Sequence, residues 1–94
     1  MVKLNNPQKE GVKVILGEEF IAIRKANVPF GAKLLAVDIA NTSMYSFSND
    51  EIAERIGAGR SSVARWINDL KDAELITSYH FKGKRILTFK QGGY

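Results

Sequence analysis

Hydrophobic residues recur along this chain in distinct rhythms, and each rhythm predicts a different element. The plainest is Val63, Trp66, Ile67 and Leu70, spaced i, i+3, i+4, i+7, which predicts an amphipathic helix starting at about Arg60. Just upstream, Ser48-Asn49-Asp50-Glu51 has the S-x-x-E form of a capping box, in which the serine and glutamate side chains satisfy the first free amides of a helix. That helix would turn Ile52, Ala53 and Ile56 toward a core and break at Gly57-Ala58-Gly59. Earlier still, Pro29 suits the first position of a helix ending near Asn41, because a missing N–H costs nothing there. This helix is apolar around more than half its girth: Phe30, Leu34, Val37 and Asn41 form one row, with Leu35 and Ile39 beside it. Such a helix is expected at the centre of a fold, covered on two sides. Met44 to Phe47 reads as a brief extended link.

Alternation takes over after Leu75. Ile76 to Phe81 and Arg85 to Phe89 flank Lys82-Gly83-Lys84, which predicts a β-hairpin around a glycine-containing turn. Near the other end, Val12 to Ile23 is rich in Val, Ile and Phe with Gly17-Glu18 in the middle. This suits two short strands around a turn, while a helix over Glu18 to Lys25 competes. The polar start, Met1 to Gly11 with Asn5-Asn6-Pro7, predicts a mobile arm. The expected class is α+β: residues 1–11 as an arm, then one domain over 12–94 with helix, short strand, helix, tight turn, helix and hairpin.

Composition narrows the classes of function. Ninety-four residues support one compact core, and 45% hydrophobic with 26% charged residues is ordinary for a soluble globular chain. No apolar run approaches the roughly 20 residues that span a bilayer, and the polar start is unlike a signal peptide. A cytoplasmic protein without membrane association is therefore expected. The absence of cysteine removes disulfides, thiolate metal sites and cysteine nucleophiles. The net charge of +4 is modest, being 14 basic minus 10 acidic groups, so its distribution matters more than its size. Residues 77–94 carry Lys82, Lys84, Arg85 and Lys90 with no acidic residue, whereas residues 48–76 have an acidic balance. The end of the chain is the part whose field would draw in a polyanion.

Two helices joined by a short glycine-containing turn match the helix-turn-helix motif, whose second helix can enter the major groove of DNA. An ordinary helical corner would look the same, so the faces of the second helix matter. Opposite its apolar stripe lie Ser61, Ala64, Arg65 and Asn68, with Arg60 at the start. Small side chains let a helix approach the groove floor, Arg can reach guanine O6 and N7, and Asn can pair with adenine N6 and N7. Asp69 and Asp72 would repel phosphates, so entry is expected through the first two turns. Ser61 and Ser62 can contact phosphate or cap free amides. Trp66 belongs to the apolar stripe, and His80 to the solvent side of a strand. Lys82, Lys84 and Arg85 would stand on a protruding loop able to straddle the backbone or enter the minor groove.

The stretch "FSNDEIAERIGAGRSSVARWINDLKDAELI" resembles the core of winged helix-turn-helix proteins of bacteria, phages and plasmids, and "SYHFKGKRILTF" resembles their wing. "VPFGAKLLAVDIAN" is similar to the first helix of such domains, particularly in phage and plasmid replication-initiation proteins. The resemblance implies a three-helix core with a C-terminal hairpin wing and a short N-terminal strand or hairpin. It places Arg60, Ser61, Ser62 and Arg65 where family members contact DNA, and Lys82, Lys84 and Arg85 in the wing. Gly59 departs from the pattern by standing where a capping serine or threonine is common.

The expected function is sequence-specific binding of double-stranded DNA, in replication initiation or transcription regulation, with homodimerisation as a further expectation from the apolar Val12 to Ile23 and from paired half-sites. Nothing points to a cofactor, a metal or a small-molecule ligand. Catalysis needs a convergent set of titratable groups, and this chain has one histidine and scattered carboxylates, so an enzyme is not expected. The competing reading is a winged-helix module that binds protein, favoured by the acidic balance of residues 48–76.

Overall fold

The capping box at Ser48 is present atom for atom in a computed structural model that describes residues 17–90. The Ser48 side chain accepts from the Glu51 amide at 3.2 Å, and the Glu51 carboxylate accepts from the Ser48 amide at 2.9 Å. Helix α3 (Asn49–Ile56) follows and ends where Gly57 takes a left-handed φ of 71°. Glycine adopts that conformation without a Cβ penalty, and its amide then closes the last turn onto Ala53 O. Three residues later α4 (Arg60–Asp72) begins, with Val63, Ile67 and Leu70 buried as the periodicity requires.

The chain is α+β: four helices precede a two-stranded antiparallel hairpin, an order compatible with a winged-helix layout. Strands β1 (Ile76–Phe81) and β2 (Lys84–Phe89) pair from Ile76↔Phe89 to Phe81↔Lys84. The turn is tighter than expected, since only Lys82 and Gly83 lie between the strands, with φ of 54° and 78°. Two left-handed residues match the right-handed twist of a hairpin. The extended link contributes a third strand reduced to one bridge, Tyr45↔Leu87, closed by the Leu87 amide on Tyr45 O at 2.9 Å.

Two expectations are corrected. The short N-terminal strand or hairpin is not formed over Gly17–Ile23, because α1 (Gly17–Lys25) is a helix and the core packs four helices instead of three. Glu18 and Glu19 in its first turn and Arg24 and Lys25 in its last complement the helix dipole at both ends, a charge pattern that favours helix over turn. Val12 to Leu16 and the arm over 1–11 lie outside the described residues.

Helix α2 (Phe30–Ala40) starts one residue later than expected, with Pro29 as its N-cap. It buries Ala32, Leu35, Ala36, Ile39 and Ala40 and packs against α1, α4 and β2, the central place expected of it, while one row stays open among the described residues. Phe30 is 76% exposed and Leu34 51% exposed along its outer row.

Where α2 crosses α4 the packing is close. A Cβ at Gly31 would overlap the Trp66 ring, which packs half-buried against the core as its place in the apolar stripe implied. Gly31→Ala is expected to cost about 1 to 3 kcal/mol by overpacking. The check is a denaturant titration, in which the midpoint should fall with the slope unchanged; an unmoved midpoint would mean the Trp66 ring yields freely.

Candidate nucleic-acid interface

The geometry of the site starts from a cluster that the sequence reading did not find. Asp38, a carboxylate on α2 amid apolar neighbours, receives the Arg55 guanidinium from α3 in a bidentate pair, at 2.8 Å to Oδ1 and 2.9 Å to Oδ2. Buried Tyr45 also donates its hydroxyl to Asp38, at 2.5 Å. The guanidinium lies 4.3 Å from the Phe47 ring centroid, so one arginine ties α2, the extended link and α3 together. Burial pushes the Asp38 carboxyl up, but the hydrogen bonds from Arg55 and Tyr45 and the Arg55 charge outweigh it and hold the group below its ordinary range. Burial and the Asp38 carboxylate push the Tyr45 hydroxyl well above the usual phenol range. The pair with Asp38 keeps Arg55 firmly charged. The signal in the sequence was a single carboxylate in a mostly apolar helix, which seldom occurs without a partner.

This clamp fixes α3, and the glycine turn then sets α4. The residues singled out on α4 share its outward surface: Arg60, Ser61, Ala64, Arg65 and Asn68 are exposed, and Ser62 is half-buried. Gly59 is the N-cap and makes no side-chain hydrogen bond, as its lack of a hydroxyl requires. The first amides of α4 therefore receive no side-chain cap from residue 59. Arg60 reaches back across the turn to Asp50 at 3.3 Å, an exposed pair of the kind that contributes little stability and exchanges readily for another anion. Asp69 and Asp72 sit at the far end, lining a shallow hollow with Asn27, Val28 and Pro29. The first two turns of α4 are thus cationic and polar, and its end is acidic.

The three basic residues of the hairpin separate into two groups. Lys82 occupies the turn, with its ammonium 5.4 Å from the Phe81 ring, and Lys84 opens β2 opposite Phe81; both are exposed. Arg85 instead lies opposite His80 and is half-buried, and its Nη2 donates to Phe47 O at 2.9 Å. Its structural role is to tie the hairpin to the link before α3. Between that tie and the start of α3 runs an open cleft of about 440 Å³, lined by Ser46, Asn49, His80 and Lys84 among others. The Asn49 Oδ1 is buried without a hydrogen-bond partner among the described residues. His80 is exposed, but its register opposite Arg85 puts it on the core-side face, lining the cleft, and not on the solvent side expected of it.

Among the described residues no group of three or more His, Asp or Glu side chains is placed to hold a metal ion, and no helix is long and apolar enough to cross a membrane. No protein-family model matches the chain, and no curated protein matches it.

Proposed function

We propose that this chain is a winged helix-turn-helix domain that binds double-stranded DNA in a sequence-specific way, with the first two turns of α4 in the major groove and the hairpin on the adjoining backbone. The observation that carries this reading is the outward face of α4, where Arg60, Ser61, Ala64, Arg65 and Asn68 are exposed together without an acidic residue until Asp69. Arg65 and Asn68 have the donor and acceptor groups to read a purine edge. Arg60, Ser61, Ser62 and the uncapped amides suit phosphates. Lys82 and Lys84 supply charge next to it, and Arg85 supports them by holding the hairpin in place. Replication initiation and transcription regulation are the processes such a reader would serve, in a cytoplasmic setting.

Selection of bound duplexes from a random library at two salt concentrations tests this. A recovered consensus, with affinity falling steeply as salt rises, is the expected result. Enrichment of no sequence would contradict it.

A second reading, a module that docks onto protein, is favoured by one observation: Phe30 and Leu34 stand exposed side by side on α2, and apolar residues so grouped often mark an interaction surface. A homodimer meeting there would present two copies of α4 to paired half-sites. Light scattering of the free chain and of its duplex complex separates these cases, since a monomeric mass in both removes the homodimer.

A further inference from the structure

We propose that the outward face of the hairpin is a stacking platform for the unpaired bases of a single-stranded nucleic acid, carried by Tyr79 and Phe81 with Lys82 and Lys84 beside them. The inference goes beyond duplex binding and does not depend on it. Side chains alternate across a strand, and the register fixes which face is which. Ile76, Leu87 and Phe89 belong to the buried core, and Arg85 reaches the link on that same side. Tyr79, Phe81 and Lys84 have the opposite parity and lie on the other face, where Ile86, paired with Tyr79, is buried at 3% exposure and the two rings stand half-exposed beside it. Tyr79 is 47% exposed and Phe81 50% exposed on this projecting hairpin.

Two rings at alternate positions of one strand are about 7 Å apart along it. That exceeds the 3.4 Å rise of stacked bases, so the rings suit bases drawn apart from each other, one per ring. In a duplex the base faces are occupied by their neighbours and cannot be reached this way. The occupant is set by charge complementarity. The Lys82 ammonium lies 5.4 Å from the Phe81 ring centroid, Lys84 pairs across the strands with Phe81, and no Asp or Glu occurs from residue 77 to the end. Aromatic faces interleaved with cations bind a polyanion whose bases are free, whereas an apolar partner would gain nothing from the lysines.

The test is fluorescence anisotropy of the full chain with a labelled oligothymidylate of about 12 nucleotides and with an abasic strand of equal length. Oligothymidylate should bind at least tenfold tighter than the abasic strand. Tyr79→Ala and Phe81→Ala should each weaken oligothymidylate binding about tenfold and leave the abasic strand unchanged. Phe81→Trp should keep the affinity, and Phe81→Leu, which retains apolar bulk without a π face, should lose it; this pair separates stacking from any defect in folding. Equal affinity for the two strands, or wild-type binding by the Phe81→Leu variant, would overturn the proposal. Failure of duplex selection leaves this test intact, because oligothymidylate forms no duplex with itself.

Discussion

Arg55→Ala is expected to lower the melting temperature by about 10 °C, the largest effect of any exposed side chain on this fold. The reason is geometric. One guanidinium satisfies both carboxylate oxygens of Asp38 and covers the Phe47 ring, so its removal leaves a partly buried carboxylate whose remaining partner among the described residues is the Tyr45 hydroxyl. Exposed ion pairs contribute little and fully buried ones cost 3 to 5 kcal/mol to break; with Asp38 intermediate in burial, about 2 kcal/mol is expected. For a domain of this size that amounts to about 10 °C.

The same cluster makes stability depend on pH at both ends of the scale. The folded-state pKa of Asp38 is depressed, so its contribution is complete above the unfolded value near 3.8 and is lost as pH falls through the folded value. Tyr45 is the reverse case: its raised pKa gives a contribution complete below the ordinary value of 10.0 and lost as pH rises through the folded value. Asp38→Asn should therefore differ from wild type at neutral pH and converge with it in acid, while Tyr45→Phe should flatten the alkaline limb. Thermal melts across pH check both, and parallel curves for Asp38→Asn and wild type down to the acid limit would show that Asp38 does not titrate with folding.

The second large effect is on binding, and two substitutions should act in different ways. Arg65→Ala removes the arginine at the middle of the exposed face of α4, and if Arg65 reads a base the selected duplex should lose about 1 to 3 kcal/mol, or roughly 5- to 150-fold. Binding to unrelated duplexes should hardly change, so the loss is one of discrimination. Lys84→Ala should instead weaken every duplex alike and reduce the salt slope by about one. Neither residue is part of the core, and both variants should keep the wild-type melting temperature. Titrations against selected and scrambled duplexes at several salt concentrations separate the two patterns. Uniform losses for both variants would mean that α4 contacts only the backbone.

Local signals made much of this fold legible. The capping box at Ser48 and Glu51, the glycine stop at Gly57 and the stripe from Val63 to Leu70 each depend on residues within one or two turns, and all three hold in the structure. The exposed face of α4 followed directly from that stripe. The hairpin was legible as well, but its turn was read one residue too long. Because side chains alternate, that small error carried a large consequence for Arg85, which lies on the core side of β2 and reaches Phe47 instead of projecting from a loop.

What was not legible depends on contacts distant in sequence. Asp38 meets Arg55 across 17 residues and Arg85 meets Phe47 across 38, and no spacing rule reaches that far. Helix α1 was ambiguous because nine residues give too few turns for a period to emerge, and its terminal charges carried the deciding information. On α2 apolar residues cover more than half the girth, which implied its central place among α1, α4 and β2 but not that Phe30 and Leu34 would stay exposed. Pattern alone does not say which row of such a helix stays open.

Amide chemical-shift mapping during titration with the selected duplex tests most directly where on the surface the duplex lies. Shifts are expected at residues 60–68 of α4 and 82–84 of the hairpin, with Phe30 and Leu34 unmoved. Shifts centred on Phe30 and Leu34, or none at saturating duplex, would contradict that placement.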